Sequence, residues 1–199
     1  MQVVTLNPQA FENHAERLAK AIEAGSALHY DAIVGVRRGG SIVCDALCRH
    51  LPTARYGARY DVTLQRPSTK HKGEKTSHLL KRLPIPLLDA MRMAEAAILL
   101  LRRKIKRAAA VPEVEIPQGL ASTLTNTSRP EILVIDDAID SGDTLYAIAE
   151  TLKKTNPDTR ISIAVITETT RNPRIRSNYT LYRNRTLIRF PWSNDYKEN

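Results

Sequence analysis

The chain has 199 residues and a formal net charge of +9, and 42% of its residues are hydrophobic. That length and composition suit a single domain, residues 1–199, which can bury its own core without disulfides or structural metal ions. The longest apolar run, AAILLL, is far shorter than the roughly 20 apolar residues of a membrane-spanning helix, and no signal segment opens the chain. We therefore expect a soluble cytoplasmic protein with no membrane partner.

The first part of the chain is predicted to form a helix, a strand, a glycine turn and a second helix. Apolar residues at helical spacing predict a helix from Pro8 to about Glu23. The apolar segment YDAIVGV, residues 30–36, predicts a strand, and after RRGG the segment SIVCDALCRHL returns to helical spacing. Cys44 and Cys48 lie four residues apart there, which predicts buried thiols on one helix face rather than a disulfide or metal pair.

A second strand is predicted from about Ala54 to Leu64, followed by a basic loop and a long helix. Residues 65–82 have few apolar side chains, several lysines, a Gly and a Pro, which predicts a mobile basic loop, 66–82. A helix from about Pro86 to Ala109 follows, with a basic end. Its apolar stripe is Leu87, Met91, Ala94, Ile98, Leu101 and Ile105. Three roles are open for this stripe: packing within the molecule, a dimer contact, or an anion-binding surface together with the basic face of the helix.

Positive charge is concentrated in this region. Residues 66–107 contain twelve Lys and Arg residues against three acids, so this segment alone matches the excess of the whole chain. Such a patch attracts anions, which include nucleic acids, polyphosphates and acidic partners.

The rest of the chain alternates strands and helices. Residues 111–130 are rich in Pro, Ser, Thr and Asn, which predicts a linker. The strand EILVIDD, the helix TLYAIAETLKKT, the strand RISIAVITE and a short strand before a turn at Pro191 follow in order. Apolar strands that alternate with helices predict an α/β fold, in which helices cover both faces of a mostly parallel twisted sheet.

The segment ILVIDDAIDSGDTL, residues 132–145, combines acids with a glycine turn. Asp136 and Asp137 end the strand with their side chains on opposite faces, so one acid can meet a ligand and the other support it. Gly142 suits a tight turn, with Ser141 and Thr144 as hydroxyl donors and helix caps. Carboxylates bind sugar hydroxyls and Mg²⁺, and a helix N-terminus binds phosphate. The pattern indicates a ligand that combines a sugar, a phosphate and a metal ion. A turn that only caps the helix also ends in Asp and Gly, so this alternative stays open.

This segment closely resembles the signature of the type I phosphoribosyltransferase family. AIVGVRRGG, residues 32–40, resembles the family's pyrophosphate loop, and LIRFPWSND resembles the closing segment of its xanthine, hypoxanthine and guanine branch. The resemblance covers most of the chain except residues 86–129. It implies the family's α/β fold, with a small hood from the terminal segments and the long helix as an extra insertion.

The resemblance also implies the substrate and its binding residues. The donor would be 5-phosphoribosyl 1-pyrophosphate (PRPP) with Mg²⁺ as cofactor. Asp136 and Asp137 would hold the ribose hydroxyls, and the metal through PRPP or water. Asp140 is implied as the proton acceptor beside the incoming base. The implied PRPP-binding residues are Arg38, Gly39, Asp136, Asp137, Asp140, Ser141, Gly142, Asp143 and Thr144.

Base recognition departs from the family pattern. Purine enzymes of this family usually have a Lys after the strand that follows the signature and an aromatic residue ahead of the FPW segment. Here Arg171 is the candidate replacement for the Lys, and Leu187 occupies the stacking position. Trp192 lines the base pocket or packs the end of the sheet. The loop 66–82 closes over the site or is a solvated surface loop.

Two functions of different classes fit these observations. The first is Mg²⁺-dependent transfer of phosphoribose to a nitrogenous base, with a purine favoured, by an enzyme of nucleotide salvage that forms a homodimer. An acceptor outside the usual bases is a variant of it. The second is a regulator of the same fold that senses PRPP or a nucleotide and binds nucleic acid through residues 66–107.

Overall fold

The computed structural model describes residues 2–25, 29–52, 56–65, 83–105, 113–183 and 185–197. Within these ranges the chain forms eight strands and five helices. The strands are β1 (Gln2–Thr5), β2 (Tyr30–Val36), β3 (Tyr56–Gln65), β4 (Glu113–Glu115), β5 (Glu131–Ile139), β6 (Arg160–Glu168), β7 (Tyr179–Arg183) and β8 (Thr186–Arg189). The helices are α1 (Pro8–Gly25), α2 (Gly39–Cys48), α3 (Ile85–Ile105), α4 (Gln118–Asn126) and α5 (Asp143–Thr155).

Six strands form one sheet in the order β4-β3-β2-β5-β6-β7. The pairs from β3 to β7 are parallel, and β4 is antiparallel to β3 at one edge. β5 lies between β2 and β6, and its residues 132–135 are buried, as expected for a strand covered on both faces. The carboxyl end of β5 therefore opens at the middle of the sheet, where parallel sheets bind ligands.

Helices cover both faces of this sheet, which confirms the predicted fold class. α1 and α2 pack on one face, where Leu18, Ile22 and Leu47 are fully buried. α4 and α5 pack on the other face through Leu120 and Leu152. Each helix thus buries an apolar stripe against the sheet, as the helical spacing of α1, α2 and α5 predicts.

The terminal segments form a small hood, as expected. β1 and β8 pair in parallel as a separate two-stranded sheet, and α3 joins it through buried ion pairs. Arg189 is only 2% exposed and contacts Asp89 of α3 at 2.6 Å and Asp195 at 3.0 Å. Arg92 of α3 contacts Asp195 at 2.6 Å and donates to the Ile188 carbonyl at 2.6 Å. Because a buried guanidinium needs paired charges, this network fixes α3 to the hood.

Three short strands and one helix were not predicted. β1 and β7 have four and five residues, too few for a clear alternating pattern. The predicted linker 111–130 was wrong in its middle, where β4 and α4 form. α4 is rich in Ser and Thr, yet it buries Leu120 and Leu124, so tertiary packing overrides its weak propensity.

The long helix α3 packs through a different face from the predicted stripe. Leu88 is 2% exposed, whereas Leu87, Met91 and Ile98 of the stripe are 45–49% exposed. The expectation that this stripe packs within the molecule is therefore wrong for these residues. Residues 106–109 of the predicted helix and the predicted loop 66–82 lie outside the described residues. In the part of the chain that the structure covers, no helix has the length and apolar character to cross a bilayer.

The two cysteines lie on α2 as free thiols, and the prediction of buried thiols holds for Cys44. Cys44 is buried and Cys48 is half-buried. A hydrogen bond with Cys48, together with burial, raises the pKa of the Cys44 thiol. Cys44 therefore remains a neutral core side chain.

Candidate functional site

The centre of the site is a close contact between the start of α2 and the end of β5. A Cβ atom on Gly39 would lie 2.1 Å from Oδ2 of Asp137. A Cβ atom on Gly40 would lie 2.7 Å from the Ile135 carbonyl oxygen and 2.8 Å from the Cα atom of Asp136. Only glycines permit this approach. The contact brings the N-terminal turn of α2, with its unpaired N–H groups, beside two carboxylates.

The turn before α2 is also basic and is tied to β3. Arg38 is exposed and is the N-cap residue of α2, and the Arg37–Arg38 peptide bond is cis. In the first turn of α2, the Ser41 hydroxyl donates to Asp61 of β3 at 2.7 Å. A helix N-terminus with an exposed Arg beside it suits an anionic group.

Asp136 and Asp137 differ in exposure. Asp136 is 9% exposed, and its Oδ1 atom accepts the N–H of Asp137 at 2.9 Å. Asp137 is half-buried, and its interaction with Trp192 partly opposes the rise of its pKa on burial. This difference fits the expectation that one acid meets a ligand and the other supports it.

Neither acid has an ion-pair partner within the part of the chain that the structure describes. Burial raises the pKa of Asp136 well above its ordinary value, and repulsion from Asp137 adds to the effect. Burial also raises the pKa of Asp137. Among the ion pairs of the described residues, none includes either acid. A cation or a pair of hydroxyl donors would therefore be stabilised here.

This charge makes the stability of the free protein depend on pH. A carboxyl group whose pKa is raised by folding favours the fold at low pH, and that stability is lost as the pH rises through the raised pKa. We therefore expect Asp136→Asn to raise the thermal midpoint at about pH 8 and to have little effect near about pH 4, close to the ordinary carboxyl pKa. Thermal unfolding across this range measures it. An equal change of the thermal midpoint at both pH values would show that ionisation of Asp136 is not the cause.

The second part of the site is the turn that joins β5 to α5. Gly142 has a φ of 80°, a left-handed conformation that favours glycine, and is the N-cap residue of α5. The Asp143 N–H donates to the Ser141 hydroxyl at 3.2 Å. Because Gly142 is the N-cap residue and Thr144 is the second residue of α5, the predicted helix-capping roles of Ser141 and Thr144 are wrong. The first turn of α5 directs N–H groups into this bend, which suits a phosphate.

The residues after β6 pack against this bend and were missed by the sequence prediction. The Thr169 hydroxyl donates to Oδ1 of Asp140 at 2.5 Å, and the Thr169 N–H donates to the Ile139 carbonyl at 2.9 Å. Asp140 is exposed beside them. The position of Thr169 directly after the strand beside β5 was the one available signal, since adjacent parallel strands end at the same edge.

Arg174 is the second residue that sequence reasoning missed. Its N–H donates to the Ser141 carbonyl at 2.8 Å, and its guanidinium carbon lies 3.7 Å from the centre of the Tyr146 ring. Its Nη1 atom is 3.6 Å from Oδ1 of Asp143. A basic side chain therefore lies over the first turn of α5.

The three residues predicted for a base pocket lie in different settings. Arg171 is exposed, and its carbonyl accepts a hydrogen bond from Arg176. Leu187 is buried in the hood, where it pairs with Val3. Trp192 stacks on Phe190 at 4.7 Å and meets Phe11 edge-on at 4.9 Å. Trp192 thus packs in the hood and also reaches Asp137, whereas Arg171 projects towards solvent.

Comparison with known proteins gives a family match over almost the whole chain. A sequence model described as "Phosphoribosyl transferase domain" matches residues 4–199. No curated protein sequence matches the chain significantly.

Solved structures support the fold. A purine phosphoribosyltransferase from Pyrococcus horikoshii is 20% identical with a TM-score of 0.58, over 96% of this chain and 94% of that one. A hypothetical protein from Neisseria gonorrhoeae with bound ppGpp is 18% identical with a TM-score of 0.58, over 96% and 89% of the two chains. A xanthine-guanine-hypoxanthine phosphoribosyltransferase from Helicobacter pylori is 16% identical with a TM-score of 0.56, over 96% and 92%.

Proposed function

The chain belongs to the phosphoribosyltransferase family, and we propose that it transfers phosphoribose from PRPP to a nitrogenous base, with a purine favoured. We assign this reaction to nucleotide salvage in the cytoplasm. The observation that carries the proposal is the contact of Gly39 and Gly40 with Asp137 and Asp136. It joins an anion-binding helix end to two carboxylates that no described cation neutralises.

The parts of PRPP match the parts of the site. The 5′ phosphate binds the bend from Asp140 to Thr144, through the hydroxyl of Ser141 and the N–H groups that begin α5. Asp136 and Asp137 accept hydrogen bonds from the ribose hydroxyls. The pyrophosphate lies at the start of α2, beside Arg38 and the N–H of Gly39.

The chemistry needs positioning and charge neutralisation more than covalent help. The base nitrogen bonds to C1′ while the bond from C1′ to the pyrophosphate oxygen breaks, and the proton of the base nitrogen passes to Asp140. Arg38 and the N-terminal turn of α2 stabilise the charge that develops on the leaving group. The hydrogen bond from Thr169 fixes the orientation of the Asp140 carboxylate.

Magnesium fits this donor set. Asp136 and Asp137 provide hard oxygen ligands. Burial raises their pKa values, so a divalent cation would stabilise the ionised carboxylates. These two carboxylates would hold the ion together with oxygens of PRPP or water. When bound, Mg²⁺ supplies further charge neutralisation for the pyrophosphate.

The acceptor binds between Asp140 and the hood in this proposal. Arg171 contacts the exocyclic group of the base, and Leu187 and Trp192 form the apolar side of the pocket. Because Leu187 lacks the aromatic face of a stacking residue, an acceptor outside the common purines also fits this site.

The assay that tests this proposal measures pyrophosphate release. Purified protein is incubated with PRPP and Mg²⁺ and with adenine, guanine, hypoxanthine, xanthine, uracil or orotate in turn. We expect release with at least one purine and none without a base. Failure with every acceptor, in a protein that remains folded, would refute the transferase proposal.

A second candidate function is regulation by a bound nucleotide. A protein of similar fold has been solved with ppGpp bound, which favours a nucleotide ligand for a protein of this fold. In this alternative, residues 66–107 bind nucleic acid and the nucleotide changes that affinity. A gel-shift titration with and without PRPP or ppGpp tests it. Binding that is absent, or that does not respond to salt, would exclude this role.

We further propose a homodimer in which α3 pairs with α3 of a second copy. Leu87, Met91, Ala94 and Ile98 are all exposed and are spaced four, three and four residues apart. The sequence continues this spacing through Leu101 and Ile105. An apolar seam with this period matches a second helix in a left-handed pairing. An antiparallel arrangement separates the two basic ends of α3.

We expect Met91→Glu to weaken this dimer at least about a hundredfold, because a carboxylate would be buried in the seam. Sedimentation equilibrium over a range of concentrations measures the change. Ala97→Glu is the matched control, since Ala97 is exposed about 90° around the helix from the seam. Equal weakening by both substitutions, or a monomeric unmodified protein, would contradict this interface.

A further inference from the structure

The bend from Asp140 to Thr144, which binds phosphate in the proposed function, carries the Asp143 carboxylate at the start of α5. Asp143 is the first residue of α5 and follows Gly142, so its side chain lies next to the helix end that binds the 5′ phosphate in the proposed function. An acid in the first turn favours the helix itself, because it complements the helix dipole. A phosphate in the same place would be repelled by that acid. The bend therefore needs a positive charge to offset Asp143 before it binds a dianion well.

Arg174 provides that charge from outside the signature. Its Nη1 atom is 3.6 Å from Oδ1 of Asp143, and its guanidinium lies 3.7 Å from the centre of the Tyr146 ring. Two contacts thus hold one flexible side chain in a defined position over α5. A cation above an aromatic ring is attracted to it, which favours this placement over a solvated one.

The backbone fixes Arg174 to the bend independently of its side chain. The Arg174 N–H donates to the Ser141 carbonyl at 2.8 Å. A Cβ atom on Gly142 would lie 3.0 Å from the backbone nitrogen atoms of Arg174 and Ile175, so the two segments are in close contact. The guanidinium is therefore aimed at the bend by main-chain geometry as well as by Asp143 and Tyr146.

We propose that Arg174 is a positioning residue for phosphate binding, which acts by neutralising Asp143. This inference rests on the proposed function of the bend. The side chains of Arg174 and Asp143 are 40% and 54% exposed, and ion pairs at such positions contribute little to folding. The main effect of the pair is therefore on the affinity for a phosphate ligand rather than on stability.

The charge argument makes a specific prediction for single and double variants. Arg174→Ala leaves the Asp143 carboxylate unpaired, and we expect PRPP affinity to fall about five- to tenfold, a typical effect for one nearby charge partly screened by solvent. Asp143→Asn alone removes the repelling charge and keeps the backbone N–H of residue 143, so we expect PRPP affinity to rise. In the double variant we expect near-normal affinity, because the charge that Arg174 offsets is gone.

Isothermal titration calorimetry with PRPP and, separately, ribose 5-phosphate measures these affinities in the intact protein. Lys153→Ala is the matched control, since it removes an exposed positive charge from the last turn of the same helix. Thermal midpoints of all variants should stay close to that of the unmodified protein. In steady-state assays Arg174→Ala should raise the KM for PRPP and leave kcat within about twofold.

The possible results separate this inference from the proposed function. Rescue of Arg174→Ala by Asp143→Asn supports it. The inference is overturned if Arg174→Ala lowers PRPP affinity equally in the presence and absence of Asp143→Asn, or does not lower it at all. In either case the proposed function still stands, provided that the unmodified protein binds PRPP. If the unmodified protein binds neither phosphate ligand, both fail.

Discussion

Changing Asp136 and Asp137 together to Asn is expected to weaken PRPP binding by about a thousandfold or more. Each hydrogen bond to a charged group contributes about 1.5–3 kcal/mol, and in the proposed function both carboxylates accept hydrogen bonds from the ribose hydroxyls. The amides keep the shape of the side chains but lose the charge. Calorimetric titration with PRPP and Mg²⁺ measures the loss.

The same substitutions should not unfold the protein. Burial raises the pKa of both acids, so the ionised pair reduces the stability of the free fold near neutral pH. We expect the double variant to unfold at a temperature equal to or above that of the unmodified protein. Asp158→Asn, which alters an exposed acid before β6, is the control for loss of one charge. Unchanged PRPP affinity in the double variant would remove the ribose-binding assignment.

Gly40→Ala is expected to destabilise the fold by about 3 kcal/mol, the upper part of the range for overpacking a close-packed core. The added methyl group would lie 2.7 Å from the Ile135 carbonyl oxygen and 2.8 Å from the Cα atom of Asp136. Both atoms belong to the backbone of the central strand, which cannot move aside without disturbing its neighbours. Urea unfolding gives the change in the free energy of unfolding.

Gly39→Ala is the matched comparison. Its methyl group would meet the Asp137 carboxylate, with Oδ2 at 2.1 Å, and a side chain can rotate away. We expect a stability loss of about 1 kcal/mol or less, because the strained atoms are flexible. PRPP affinity should still fall at least about tenfold, because the displaced carboxylate no longer faces the ribose. Equal stability losses in both variants would show that these contacts do not shape the site as described.

Much of the fold could be predicted from the sequence because its central elements have strong patterns. β2, β5 and β6 are continuous apolar runs, and their predicted limits agree closely with the structure. The helices beside them show regular apolar spacing. These patterns arise from burial on one or both faces, which is the property that sequence periodicity reports.

The missed elements depend on contacts that the local sequence does not show. In α4, the hydroxyls of Ser122, Thr123 and Thr125 donate to carbonyls of the preceding turn, so polar residues that usually favour loops are satisfied within a helix. β1 is a strand because β8 lies beside it. Its partner is more than 180 residues away in the chain.

The same distinction applies to the site. The acids and glycines of residues 136–144 could be predicted because they form one continuous signature. Thr169 and Arg174 could not, because each meets that signature only after β6 has paired with β5. The exposed stripe of α3 shows the converse. Its spacing was clear in the sequence, whereas the face of α3 that contacts the hood is set by the polar contacts of Asp89 and Arg92.

The hood imposes an order on biosynthesis. Gln2 and Thr186 are hydrogen-bonded across a separation of 184 residues, so the N-terminal strand leaves the ribosome long before its partner is translated. The six-stranded sheet can begin to assemble on the nascent polypeptide, whereas the hood waits for β8. Trp192, which reaches Asp137, is translated later still. A ribosome-bound intermediate therefore acquires its aspartate pair before the tryptophan that contacts it.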